Sequence, residues 1–120
     1  MRSLPLFHRI SGQPVIVLGE GEAADAKRRL VERAGGIVIT ELEGIEPTVR
    51  LAFVAHDESA RIEADVARLR EVGVLANAPD RPDLCDFTVP SLLDRDPVLI
   101  AIGTSGASAG LAKPIRLRLE

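Results

Sequence analysis

Aromatic side chains are nearly missing from this 120-residue chain, which has three Phe and neither Trp nor Tyr. Its core must be assembled from Val, Leu, Ile and Ala, a set that suits strands buried on both faces. A single cysteine, Cys85, excludes an internal disulfide and a multi-cysteine metal site, and it reads as a small buried or half-buried side chain. His8 and His56 have no partners at ligand spacing, so no metal is expected. An excess of positive charge is absent too. The formal net charge is −3 and the basic residues are scattered, which excludes a nucleic-acid footprint. No apolar run approaches the roughly 18 residues of a membrane span, and the start lacks a signal-like apolar stretch. No membrane partner is expected, and the default location is cytoplasmic. What is present, 46% hydrophobic and 28% charged, fits one soluble domain that a partner chain can complete.

The most informative stretch begins at Pro14. An apolar run, Val15 to Leu18, breaks into Gly19-Glu20-Gly21 and then Glu22, Ala23 and Ala24. Strand, glycine turn and helix in that order are what a dinucleotide needs. Gly19 permits the sharp turn, Gly21 lets backbone approach a pyrophosphate, and Ala24 allows close helix–strand packing. The helix start adds free N–H groups and a positive dipole end. By itself such a pattern is weak, because small residues also serve ordinary packing. A second apolar run at 37–40 strengthens it, since it ends at Glu41, 20 residues beyond Gly21. An acid there can accept hydrogen bonds from ribose hydroxyls and repel a 2′-phosphate. The plain alternative is an acid that merely starts a solvated loop.

Strands are expected at 15–18, 37–40, 51–55, 74–76 and 98–102, with a brief extended piece at 87–90. Helices are expected at 22–34, 59–72 and 111–119. The first would turn Ala23, Ala26, Leu30 and Ala34 to one face, and Gly35-Gly36 would stop it. The second carries Ile62, Val66 and Leu69 as its stripe. Alternating strands and helices give an α/β fold, Rossmann-like, with a mainly parallel sheet, helices on both faces and a short C-terminal strand-loop-helix element. The expected division is a dinucleotide-binding part, 1–90, and a dimerisation element, 91–120. Ligands of such sheets lie beyond the strands' carboxyl ends. There Gly19 to Ala24, Glu41, Ala55-His56-Asp57 and Asn77 to Asp80 converge.

Asp80 lies between Pro79 and Arg81-Pro82, which restrict the local backbone. A carboxylate held there can act as a general base, taking the proton that leaves opposite a hydride; the alternative is a turn-initiating Asp. His56 can touch the adenosine side or cap the next helix, where Asp57 or Ser59 is the better cap. Thr104, Ser105 and Gly106 open a glycine-rich loop of the kind that binds anions through backbone N–H groups. Ser105 lacks the spacing of a nucleophile elbow. Lys27 can reach a phosphate or remain a solvated helix lysine.

Several segments together resemble one family, the dehydrogenase module of siroheme synthases, that is, precorrin-2 dehydrogenase and its dehydrogenase/ferrochelatase relatives. The similarity runs from Leu4-Pro5-Leu6-Phe7 through residues 15–28 and 30–35, Ala55-His56-Asp57 and Asn77-Ala78-Pro79-Asp80. Its most specific part is Phe87-Thr88-Val89-Pro90 running on to Asp94-Arg95, followed by Ser105-Gly106-Ala107-Ser108. The resemblance implies an enzyme that uses NAD to oxidise the tetrapyrrole precorrin-2 to sirohydrochlorin, with ferrochelatase activity in some members, and a homodimer. It implies Asp80 as the functional aspartate. Gly19, Glu20, Gly21, Glu22, Ala23, Glu41, Ala55, His56 and Asp57 become the cofactor side; Asn77, Thr104, Ser105 and Gly106 become the substrate side. Three departures stand out. The stretch between Thr40 and Leu51 is short by a strand, the chain ends where relatives continue into helices, and Glu20 replaces a small residue. The first two favour the alternative of a nucleotide- or tetrapyrrole-binding module of the same fold without catalysis.

Overall fold

Val15, Ile16, Val17 and Leu18 are all buried, because β1 (Pro14–Leu18) runs through the interior of a sheet covered on both faces. The computed structural model describes residues 1–104 and 109–120. These divide into two compact units, Phe7–Phe87 and the combination of Met1–Leu6 with Thr88–Glu120.

The larger unit holds four parallel strands in the order β2-β1-β3-β4, with β2 at Ile37–Ile39, β3 at Leu51–Val54 and β4 at Leu75–Asn77. Helix α1 (Glu22–Arg33) joins β1 to β2, and α2 (Ser59–Glu71) joins β3 to β4. The strands alternate sides as a pleat requires. Ile16, Leu18, Ala52 and Val54 pack with Ile62, Val66 and Leu69 of α2 in one cluster. Phe53 faces the other way, toward α1, where Lys27 lies over its ring. Both helices close with a pair of tightening bonds past the last turn. After α1, Gly35 N–H donates to the Glu32 carbonyl and Gly36 N–H to that of Val31, both at 2.9 Å.

The expected core stripe of α2 is the observed one, whereas that of α1 is not. Ala24 and Val31 are the buried residues of α1, while Ala23, Ala26 and Ala34 are exposed. The helix is rotated from its alanine-rich side because Val31 offers more apolar surface than an alanine. Residues 40–50 connect β2 to β3 without a strand. Leu42 and Ile45 pack against the α2-side cluster and Val49 is buried within it.

The smaller unit departs from the sequence expectation of a single strand. It contains an antiparallel hairpin, β5 (Ser91–Arg95) with β6 (Val98–Ile102), paired from Ser91↔Ile102 to Arg95↔Val98. No strand forms at 87–90. The connection is Asp96-Pro97 with a cis peptide, not the Asn-Gly or Asp-Gly pair that signals a hairpin in sequence. Helix α3 (Ala109–Leu119) packs on β5 and β6. Leu93 and Ala112 are this unit's buried apolar residues among those described.

Candidate functional site

The glycine turn after β1 has the conformation its residues suggest. Gly19 has φ 111° and Gly21 φ 96°, values that residues with a side chain rarely adopt. At Gly19 a Cβ would stand 2.3 Å from the Ala55 carbonyl oxygen, so β1 and β3 can approach only because that atom is missing. At Gly21 a Cβ would meet nothing within 4 Å, so the space beside the start of α1 is open. Gly21 is also the N-cap of α1 and has no side chain to satisfy the first-turn N–H groups. Glu22 and Ala23 lie exposed in that first turn.

Beyond the carboxyl ends of β1, β2 and β3 lies an open cleft of about 990 Å³. Leu18, Gly19 and Glu20 line it from β1, Thr40 to Glu43 from β2, and His56, Asp57 and Glu58 from β3. Arg28 of α1 and Arg61, Asp65 and Arg68 of α2 complete the wall. Its volume is at the upper end for small-molecule and cofactor sites, the scale of a dinucleotide. Of the expected cofactor residues, Gly19, Glu20, Glu41, His56 and Asp57 therefore meet at one cleft. Ala55 is buried behind it, its carbonyl against Gly19.

His56 neither caps α2 nor points to solvent. Its Nε2 is 2.7 Å from Asp65 Oδ2, with both side chains largely covered. The expected caps fail as well. Glu58 is the N-cap, no side chain bonds to the helix start, and Ser59 Oγ accepts instead from Arg81 at 2.8 Å. Arg81 also binds Glu63 at 3.0 Å and Asp83 at 3.1 Å, which holds the Asp83 carboxyl below the usual carboxylate range.

Lys27 takes neither of its expected positions. Its ammonium sits 5.5 Å from the centroid of Phe53, which in turn meets Phe87 edge-on. Burial lowers its pKa below the usual lysine value, a shift that the nearby Cys85 opposes. Cys85 is half-buried, its Sγ 3.3 Å from both Ala78 N and Ala78 O.

Asp80 stands at the carboxyl end of β4, outside the cleft lining. It is exposed, in a turn closed by a 3.1 Å bond from Arg81 N–H to the Ala78 carbonyl. Among the described residues it is the non-glycine residue with positive φ, 65°. Asn77 is buried and its Nδ2 donates to the Phe87 carbonyl at 2.9 Å, so its amide is engaged inside the fold. Thr104 is half-buried in the smaller unit; Ser105 and Gly106 lie outside the described residues. Sequence reasoning missed Arg28, Arg61, Asp65 and Arg68, which look like ordinary helix-surface charges. The available signal was the spacing 61, 65, 68, which sets three charged residues on one side of α2.

In class this is a Rossmann-type α/β protein. Siroheme synthases of Methylococcus capsulatus and Ectopseudomonas mendocina are 33% and 32% identical to it over the whole chain. These likenesses support the precorrin-2 dehydrogenase and siroheme synthase family as the one to which the whole chain is similar. It spans about three tenths of the length of these relatives, 30% of the first and 31% of the second. The alignments run over 144 and 145 positions, so the relatives carry segments that this 120-residue chain lacks. The solved structure of SirC, a precorrin-2 dehydrogenase, shares the fold with a TM-score of 0.68 at 19% identity. That likeness covers 98% of this chain and 69% of SirC. No protein-family model matches the chain.

Proposed function

We propose that the protein oxidises precorrin-2 to sirohydrochlorin in siroheme biosynthesis, with NAD as the oxidant. The observation that carries this reading is the relationship to siroheme synthases over the whole chain. It is supported by a glycine turn opening onto a dinucleotide-sized cleft. The residues present fit the cofactor. The open side of Gly21 and the first-turn N–H groups of α1 suit a pyrophosphate, and Glu41 suits the adenosine ribose. Bound NAD would supply a hydride acceptor. As a tetrapyrrole C–H bond gives up its hydrogen as hydride to that acceptor, Asp80 would take the separate proton that the tetrapyrrole releases, so that precorrin-2 and NAD⁺ give sirohydrochlorin, NADH and a proton. Its αL backbone, costly for a side chain, accords with a functional position. Thr104, Ser105, Gly106 and Asn77 are the substrate-side candidates. Exposed Val98, Leu99 and Leu117 in the smaller unit support a homodimer.

Ferrochelation is the finer extension of this reading. Iron inserted by such an activity would be substrate, and a carboxylate accepting the pyrrole protons would suffice. The segments that the relatives carry and this chain lacks favour a second reading, a nucleotide- or tetrapyrrole-binding module without turnover. Anaerobic assay with NAD and precorrin-2 separates the two. NADH formation that Asp80→Asn abolishes supports the enzyme. Binding of NAD with no NADH formed supports the module.

A further inference from the structure

We propose that Arg28 is a phosphate-binding residue of the cleft that also positions the glycine turn, an inference that rests on the dinucleotide reading above. Arg28 lies in the second turn of α1, yet its guanidinium reaches back to the turn itself. One terminal nitrogen donates to the Gly19 carbonyl and the other to Asp25 Oδ1 at 2.9 Å. The side chain is 24% exposed and lines the cleft, whereas its partner Asp25 is 58% exposed. A guanidinium has five N–H donors in a planar fork, so these two bonds leave three for a ligand. They also fix the group in place before any ligand arrives.

The charge around it shows why such a group is needed. The cleft is lined by Glu20, Glu41, Glu43, Asp57 and Glu58, which together repel a pyrophosphate. Glu20 lies inside the glycine turn, where backbone N–H groups would otherwise meet the phosphates alone. Arg61 and Arg68 also line the cleft, but from α2. Arg28 is the cation bonded to the turn, and a charge-assisted fork at that point offsets the local negative charge.

Calorimetric titration with ADP, adenosine and NAD tests the assignment, since ADP and adenosine differ only in the diphosphate. For Arg28→Ala the expected result is a loss of roughly tenfold or more in affinity for ADP and NAD, with adenosine changed less than about twofold. Arg28→Lys should recover part of the loss, and the salt dependence of ADP binding should flatten in Arg28→Ala. Should Arg28→Ala fail to fold, Arg28→Gln keeps a donor for Gly19 without the charge and should show the same selective loss. Equal losses for adenosine and ADP would reduce Arg28 to a structural buttress and overturn the proposal, as would no loss for either. Wild-type protein that binds neither NAD nor ADP would overturn the dinucleotide reading itself, and this assignment with it.

Discussion

His56 Nε2 and Asp65 Oδ2 are 2.7 Å apart, and that contact ties the end of β3 to the second turn of α2. It has a further effect on the cleft wall. Asp65 lies four residues after Arg61 and three before Arg68, spacings from which it could pair with either. Committed to His56, it leaves both arginines facing the cleft. Asp65→Ala would strand a largely buried imidazole and should cost about 1–3 kcal/mol in urea denaturation. His56→Ala should cost less, because the freed carboxylate can turn to Arg61 or Arg68. A loss below about 0.5 kcal/mol for Asp65→Ala would mean that the pair is replaced by water at no cost.

Gly19→Ala should be among the most damaging single substitutions in the chain. The new Cβ would lie 2.3 Å from a backbone oxygen of the neighbouring strand, and φ is 111°. Either β1 and β3 separate or the turn rearranges, at about 3 kcal/mol or more. Gly21→Ala meets no neighbour, so its cost should be conformational and smaller, while it should weaken nucleotide binding by filling the open side of the turn. Melting temperatures of the two variants give the order directly; a milder effect at Gly19 would contradict the geometry.

Lys27 gives a pH prediction. The chain has two lysines, Lys27 and Lys113, so methyl-labelled amines yield two lysine NMR signals beside that of the N-terminal amine. Burial lowers the Lys27 pKa, so of the two lysine signals its own should shift first as pH rises. The sign for stability follows. Between the folded and unfolded pKa values the unfolded chain binds more protons, so this group makes the fold more stable as pH rises through that window. Replacing Lys27 with Met should remove that slope. Coincident titration of the two lysines would place the Lys27 amine in water instead.

The parallel sheet was legible because its strands are apolar runs bounded by turn residues, and α2 because Ile62, Val66 and Leu69 repeat at helical spacing. The glycine turn's conformation and the place of Glu41 beside the cleft were legible because both depend on local spacing. Arg28 and the His56–Asp65 pair were not. Each joins residues nine apart, and nothing in a helix sequence says which charged side chain will turn back toward a strand end. Lys27 misled for the same reason, since a long aliphatic stem can lie along an apolar surface as readily as extend into water. The hairpin was hidden by Asp96-Pro97, a connection without a common turn signature.

Glu41 should set the choice between nicotinamide cofactors. Its carboxylate lines the cleft after β2, where a 2′-phosphate would add negative charge beside Glu43. Two like charges about 4 Å apart in water repel by about 1 kcal/mol, so Glu41→Ser should improve NADP relative to NAD by about fivefold. Fluorescence titration with the reduced cofactors measures the ratio, and an unchanged ratio would place the ribose elsewhere.

Asp80 allows its backbone and its chemistry to be separated. Pro79 and Asp80 are the central residues of a turn, and φ 65° at the second suits Gly or Asn better than Asp. Asp80→Gly should relieve about 1 kcal/mol of backbone cost and raise the melting temperature. Asp80→Asn, somewhat more at ease with positive φ, should leave stability within about 0.5 kcal/mol of the wild type or slightly above it. If Asp80 handles the proton, both variants should lose turnover of precorrin-2 while binding NAD as the wild type does. Greater stability combined with lost activity would identify a strained residue retained for function. If Asp80→Gly is more stable and equally active, Asp80 belongs to the turn alone, and the proton acceptor must be sought elsewhere.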